Sequence, residues 1–432
     1  MAAAVEIATR IARIEAPATL KVDIAVLGAG IAGVSAAIEA ARLGRRTALI
    51  DGAPVLGGQA VGAQIGTFCG FYSNGPKPYP VTYGIAAEIL RDLGAGGHLN
   101  FIDGRRRTRI VQYDDLALGR WIERAVAEAG VVPVTGAVLT GVVRHGRRIE
   151  ALELATRYGS LRVLAHGFVD ASGDAALAHT AQLSCREPAG GPLFGSQMLV
   201  LEGVDGEAAR RIARAEFDAR LRDRAQAHGL VRRDGFAFPV PGRDVALLNM
   251  THTETPLDPV AAARAQLAGR DQADRVLAFM RAEFPHAYGR ARVRSYGLPG
   301  IRMTRWIVGR HQLTDAEVRA GHRHADAVAR CSWPIELHHR AEEGFWEEFG
   351  DDHMHYVPLG SLVHAEADNL AAAGRCIDGQ PGALSSVRVM GPCIATGAAA
   401  AHALVLAGAG SLHQIDVAAL QARLRDNLER TG

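Results

Sequence analysis

The sequence predicts an α/β protein: a parallel central sheet in one large domain, with a smaller α+β domain between its two halves. Three observations predict this. Residues 22–51 read as strand, glycine turn, helix and second strand, a βαβ unit of the kind that builds parallel sheets. The carboxy-terminal stretch returns to that style, with an apolar strand at Asn369–Ala373 and a small-residue helix after Pro392. At 432 residues the chain also exceeds the size at which one core stops growing. The expected large domain comprises 1–180 with 357–432, and the smaller, substrate domain 181–356.

The elements follow in order. Val22 to Leu27 is a short apolar run ending in glycine, Ile31 to Leu43 an Ala-rich helix, and Thr47 to Ile50 a second strand closed by Asp51. Gly57 to about Pro80 is rich in Gly, Pro, Asn and aromatics, a long loop of the kind that covers a site. Helices are expected at Tyr83–Leu93 and Asp114–Glu128. Strands are expected at Val131–Thr135, Val138–Val143, Ile149–Leu154, Leu161–Leu164 and Gly167–Asp170, with an antiparallel hairpin turned by Gly146 and by Gly159-Ser160. From about Ala181 strand-like pieces (Gln197–Leu201, Val245–Asn249) mix with Arg-rich helices. Asp258-Pro259 starts one helix that Phe284-Pro285 ends, and Thr314 with Glu317 makes a capping box. The run Arg210–Arg224 alternates with acids and carries Ile212, Phe217 and Leu221 on one face, which reads as a solvated helix.

Composition narrows the function. A net charge of +2 gives no field for nucleic acid or anionic membrane. The five cysteines (Cys69, Cys185, Cys331, Cys376, Cys393) form no Cys-x-x-Cys pair, so neither a redox dithiol nor a zinc ribbon is expected. Glu6, Arg10, Arg13 and Glu15 interrupt the amino-terminal apolar positions where a signal-peptide core would lie. Cys393 to Gly410 is mostly Ala and Gly with His402, poor material for a membrane span. A soluble, cytoplasmic protein is expected, and self-association into a homo-oligomer is compatible with it.

Gly28-Ala29-Gly30-Ile31-Ala32-Gly33 is a Gly-x-Gly-x-x-Gly turn where a strand feeds a helix. Gly28 makes the turn, Gly30 admits a pyrophosphate, and Gly33 lets helix and strand pack, with the phosphates at the positive helix start. Asp51 falls where an acid accepts from a ribose, and Gly52 rather than Arg behind it disfavours a 2′-phosphate. NAD and FAD share this Rossmann-type fingerprint. Three segments favour FAD: Gly57-Gly58-Gln59 soon after the acid, the strand Phe168 to Asp174 running into Gly173-Asp174, and Asn369 to Ala401 with its glycine turn and helix. The start of such a helix can stabilise negative charge on reduced flavin.

The sequence resembles the FAD-dependent oxidoreductase family that is distantly related to fumarate reductase and heterodisulfide reductase flavoproteins. The likeness rests on the Gly loop, LGGQA (56–60), FVDASGDAALA (168–178), GIRMTRWIVGRHQLTDAEV (300–318), WPIELHH (333–339), YVPLGSLV (356–363), AAAGRCI and SSVRVMGPCIATGAAAA. It implies a Rossmann-type FAD-binding domain. It also implies FAD contacts at Gly28, Gly30, Gly33, Asp51, Gly58, Gln59, Gly173, Asp174, Gly374, Arg388 and Met390, with Val138 on the adenine-side strand.

Flavin carries the difficult chemical step, so the protein has to position substrate and manage one proton. Arg302 and Arg305, in a motif the resemblance brings near the flavin ring, read either as a clamp on a substrate carboxylate or as structural ion pairs. His338 reads as the general base or as a hydrogen-bonded core histidine. Tyr356 can close the pocket or pack a domain junction. Cys69, between glycines in the covering loop, can attach flavin, act as a thiolate, or fill space. Asp351-Asp352-His353-Met354-His355 has ligand chemistry but no second cluster at credible spacing, so no metal is expected.

The sequence therefore points to a dehydrogenase or oxidase of a small organic substrate. No second glycine fingerprint follows a strand, so electrons leave to oxygen or to another, unidentified acceptor. Two further readings stay open: a flavin monooxygenase using NAD(P)H, and a flavin-bearing electron-transfer subunit without a substrate of its own.

Overall fold

The computed structural model describes residues 17–103, 107–189 and 193–431. The amino-terminal positions read above for a leader core lie outside the described residues.

Apolar runs buried on both faces make the central sheet. Ile24–Leu27 is buried along its whole length, as are Gly167–Asp170 and Leu370–Ala372, the pattern of parallel strands covered by helices on each side. The order is Leu370–Ala372, Gly167–Asp170, Ile24–Leu27, Thr47–Asp51, Val132–Thr135, and every pairing is parallel. Strands from both ends of the chain thus lie side by side, with Asp170 opposite Leu27 and Ala372.

Two helices cross one face in close contact. Ile31–Arg42 is held to Met390–Ala407 by the Ser35 hydroxyl, which donates to the Ile394 carbonyl at 2.8 Å, and a side chain at Gly397 would strike the Ala32 backbone. Small residues let the axes approach. Met390–Ala407 is long and apolar enough to cross a membrane, but most of it is buried inside the protein. It begins two residues before Pro392, the position expected to start it, and a separate short helix, Pro381–Val387, precedes it.

The expected hairpin is present as Ala137–His145, Arg148–Thr156 and Gly159–Leu164 in antiparallel register, joined by Ala18–Lys21 in parallel. The covering loop is partly regular: Gly58–Val61 is helical and Thr67–Phe68 pairs with Arg109–Tyr113.

A second core lies in the middle of the chain. Phe236–Pro239, Val245–Asn249, Leu199–Glu202 and Arg292–Tyr296 form an antiparallel sheet, and Phe279, Met280 and Phe284 at the end of the long helix Pro259–Glu283 pack with it. Asp258 caps that helix by accepting from the Ala261 amide at 2.7 Å. Residues of this core run from Leu199 to Tyr296, whereas Met303, Trp306, Trp333 and Val357 join the core of the parallel sheet.

Candidate functional site: a glycine cradle and a buried arginine cluster

The strand Ile24–Leu27 ends at Gly28, whose φ of +101° suits glycine and whose amide donates to the Ile50 carbonyl at 2.7 Å. A side chain here would meet the Ala171 carbonyl, and one at Gly33 would meet the Gly28 carbonyl. Gly30 differs: a Cβ there would have nothing within 4 Å. No side chain caps the helix that starts beside it, so its first amides remain available to an anion. Gly58 closes the other side, where a Cβ would come within 2.6 Å of the Gly30 Cα. This open glycine floor at a helix start fits a dinucleotide pyrophosphate.

Asp51 ends the second strand and ties it to the turn. Its Oδ2 accepts from the Ala29 amide at 2.6 Å and its Oδ1 from the Ala53 amide at 2.7 Å. Each oxygen keeps lone-pair capacity for a ribose hydroxyl. Gln59 is partly buried in the helix Gly58–Val61. Val138 is exposed on the strand Ala137–His145, three residues beyond Thr135, the parallel partner of Asp51.

Farther along the sheet, Asp170 is buried, and its carboxylate accepts from Ser172, Leu177 and Ala178 amides; burial raises its pKa. This staples the loop that presents Gly173 and Asp174. The Asp174 carboxylate accepts from the Thr304 hydroxyl and pairs with Arg375 at 3.1 Å. Gly374 lies next to it, its amide donating to the Thr396 hydroxyl at 3.1 Å. Thr304 and Arg375 were not singled out from the sequence, although both lie inside the motifs quoted for the resemblance.

The covering loop sits on the start of the helix Met390–Ala407. The Gly391 amide donates to the Cys69 carbonyl at 3.0 Å, and a side chain at Gly391 would collide with the Gly70 carbonyl. Burial and then Glu336 push the Cys69 thiol far above its ordinary value, which opposes a thiolate.

A second polar group gathers beside this loop. Arg302 donates to the Phe194 carbonyl at 2.8 Å and to the Ser196 hydroxyl at 2.9 Å, using two of its five N–H donors. Burial first, then Arg232 and Arg388, pulls its pKa down to about 9. Arg388 donates to the Glu336 carbonyl at 3.3 Å, while its Nε is buried with no hydrogen-bond partner among the described residues. Such an orphaned donor fits a ligand acceptor. Arg232 is almost completely buried, anchored by Asp234 at 2.6 Å and Asn249 at 2.8 Å.

His338 is buried with both ring nitrogens engaged. A chain of hydrogen bonds runs from the Ala341 carbonyl to His252 Nδ1 (2.8 Å), from His252 Nε2 to His338 Nδ1 (2.9 Å), and from His338 Nε2 to Glu336 Oε1 (2.9 Å). The carbonyl can only accept, so His252 carries its proton on Nδ1 and accepts from His338 Nδ1–H. The contact between His338 Nε2 and Glu336 is then a site for one further proton. Burial, followed by Arg302, Arg232 and Arg388, holds His338 well below the usual histidine range, and burial with the same two nearer arginines pulls His252 down to about 2. Glu336 stands in the quoted WPIELHH motif; His252 and Arg232 carried no local signal.

Arg305 is half-buried and, among the described residues, makes no hydrogen bond or ion pair. It adjoins Thr304, the partner of Asp174. Tyr356 lies elsewhere, on the strand His355–Pro358, its ring 5.3 Å beneath Arg323, which pairs with Glu429. In the segment 351–355, Asp351 pairs with Arg107 at 2.9 Å, and His355 is hydrogen-bonded to His353 at 3.2 Å and to the Ser386 hydroxyl at 2.9 Å.

Comparison with known proteins agrees with this arrangement. Residues 23–424 match the family model described as FAD dependent oxidoreductase. No curated protein matches the sequence. Among solved structures, a geranylgeranyl bacteriochlorophyll reductase-like protein from Thermoplasma acidophilum shares 11% identity over 96% of this chain and 93% of its own, with a TM-score of 0.48. The flavin-dependent brominase Bmp2 shares 14% over 94% and 83%, with a TM-score of 0.46. PqsL of P. aeruginosa, solved with 2-aminobenzoylacetate, shares 18% over 94% and 92%, with a TM-score of 0.45. At these scores the three bear on no reaction. The family match spans nearly the whole chain, and the glycine cradle fits its cofactor: this protein belongs to the FAD dependent oxidoreductase family and is a flavoenzyme that uses FAD.

Proposed function

We propose that the enzyme oxidises a small carboxylate-bearing substrate, a hydroxy acid or amino acid in chemical class, which loses a hydride from carbon and a proton from its hydroxyl or amino group. In this reading Gly28, Gly30, Gly33 and Gly58 hold the pyrophosphate and Asp51 the ribose, with Gln59 and Val138 toward the adenine side. Gly173, Asp174 and Gly374 line the middle of the cofactor, and Arg388 and Met390 its ring end. FAD, when bound, supplies the acceptor for the hydride's electron pair at flavin N5.

The observation that carries the substrate class is the charge around Arg302. Three guanidiniums, Arg302, Arg232 and Arg388, face two carboxylates, Glu336 and Asp234, leaving one buried cation to be matched by an anion. Arg302 has donors to spare for a carboxylate, and Arg305, three residues on, makes no hydrogen bond or ion pair among the described residues. The substrate proton passes to the one site between His338 Nε2 and the Glu336 carboxylate, empty before the reaction, with His252 behind it. Burial of this group keeps bulk water from it, which strengthens each of these charge interactions. Oxygen or another small or protein acceptor then takes the electrons onward.

The test is an anaerobic screen for bleaching of the flavin absorbance. Hydroxy acids and amino acids are expected to bleach it where their methyl esters do not. Equal bleaching by acid and ester would remove the carboxylate from the proposal, and bleaching by NADPH alone would favour the monooxygenase reading.

A further inference from the structure

The residues that follow the Arg302–Arg305 segment bring together three side chains that the flavin chemistry leaves unused. His311 lies in the link between Gly309 and Leu313, Glu317 in the first turn of the helix Asp315–Ala320, and His324 in the turn after it. One ligand atom from each lies within 4.8 Å of the other two. We propose that His311, Glu317 and His324 bind a divalent transition-metal ion, with zinc(II) the ion that a set of two imidazoles and one carboxylate suits best.

The geometry goes beyond an ordinary ion pair. Glu317 is locked by the capping box: its Oε2 accepts from the Thr314 amide at 2.8 Å and hydroxyl at 2.9 Å. Its Oε1 takes no part in the capping box, and His311 Nε2 lies 3.1 Å from both carboxylate oxygens. That spacing approaches the ~3.3 Å edge of a tetrahedron built on bonds of about 2.0–2.1 Å. His311 is fixed in turn by its backbone, the amide donating to the Gly360 carbonyl at 3.1 Å and the carbonyl accepting from the Ser361 hydroxyl at 2.9 Å. An ion pair accounts for these two residues and stops there.

His324 is the residue it leaves unexplained. The residue is only 9% exposed, and its Nε2 is buried with no hydrogen-bond partner among the described residues. The rings nearest to it are those of His311, at 5.0 Å, and His322, at 4.5 Å. A buried imidazole nitrogen without a partner is unfavourable, and gathering two further imidazoles around it offers no relief unless something accepts their lone pairs. A cation bound to His311, Glu317 and His324 does so. Water or the exposed His322 completes its coordination. Closing the widest edge from 4.8 Å requires a shift of about 1.5 Å, within reach of side-chain rotation.

The role is structural. Leu313 is bonded through its carbonyl to the Gln380 amide at 2.8 Å, just before the helix Pro381–Val387 that leads to Arg388. A metal here would brace the segment that carries Arg388 without touching flavin or substrate.

The experiment uses the FAD-loaded enzyme, stripped with a chelator, dialysed, and titrated with zinc sulfate in a calorimeter. One equivalent is expected to bind and to raise the thermal midpoint, and magnesium is expected to do neither. His324→Gln and His311→Ala should each weaken zinc binding at least about tenfold, the loss that even an outer-shell partner's removal causes. Flavin content and circular dichroism confirm that each variant is folded. Zinc binding that is unchanged in both folded variants, or the lack of any saturable binding by the parent enzyme, overturns the proposal.

Discussion

Arg375 reaches Asp174 from the neighbouring strand end, with the two charges 3.1 Å apart and the Thr304 hydroxyl donating to the same carboxylate. The Asp174 side chain is 41% exposed, whereas Arg375 is largely covered, so the arginine orients a carboxylate that still faces outward toward a ligand. Asp174→Asn and Arg375→Ala are each expected to weaken FAD binding by roughly 10- to 100-fold, the range of one lost charge-assisted hydrogen bond. Quenching of FAD fluorescence on titration into apoprotein measures this, and parent-like affinity in both variants would detach the pair from the cofactor.

Gly30 and Gly33 separate cofactor binding from folding. A methyl group at Gly30 enters free space, so Gly30→Ala should leave the apoprotein's stability within about 0.5 kcal/mol while filling the floor meant for phosphate. Gly33→Ala drives its methyl into the Gly28 carbonyl and should lower the thermal midpoint even without FAD. Scanning calorimetry of the two apoproteins beside their FAD titrations distinguishes the effects.

Arg305→Ala is expected to retain FAD and slow flavin reduction at saturating substrate. Arg302→Met is expected to raise the substrate concentration needed for half-maximal reduction by ten-fold or more, as loss of an ionic contact implies. Stopped-flow reduction traces give both values, and unchanged traces for Arg305→Ala would take that side chain out of the mechanism.

Buried neutral histidines set the acid stability. His355, fully buried, has its pKa pulled down to about 3, by burial and then by His353. Below the unfolded value of about 6.5 the unfolded chain binds a proton that the native site refuses. Stability is therefore lost as the pH falls from about 6.5 toward 3, by up to ~1.4 kcal/mol per pH unit for this one group. His355→Gln should flatten the decline of the urea midpoint between pH 6 and 4, and an identical slope would contradict the burial argument.

Much of the fold was legible because it is local. The run Val22–Leu27, the glycine turn and the Ala-rich helix announce one supersecondary unit, and Asp258-Pro259 and Thr314 with Glu317 announce helix starts through short-range hydrogen bonds. The cofactor cradle shared that advantage, since Gly28, Gly30 and Gly33 act within six residues. The arginine and histidine network did not. Arg232, His252 and His338 meet only once the central antiparallel sheet packs against the Trp333–Leu337 segment, and no spacing in the sequence records that encounter. Tyr356 reads either as a pocket wall or as packing at a domain junction, and the strand pairing with Ala327–Cys331 that sets its ring beneath Arg323 is a long-range contact no local pattern records.

The pairing of Asp170 with Ala372 governs how this protein is made. During translation the first half of the nucleotide-binding region emerges with one flank of its sheet bare, and the strand that covers it is some 200 residues away. At roughly 5–20 residues per second a ribosome needs about 10–40 s to deliver it. Until then Phe168 and Val169 present an uncapped edge to solvent or to a chaperone, so truncation anywhere before residue 370 should yield aggregate rather than a smaller working domain.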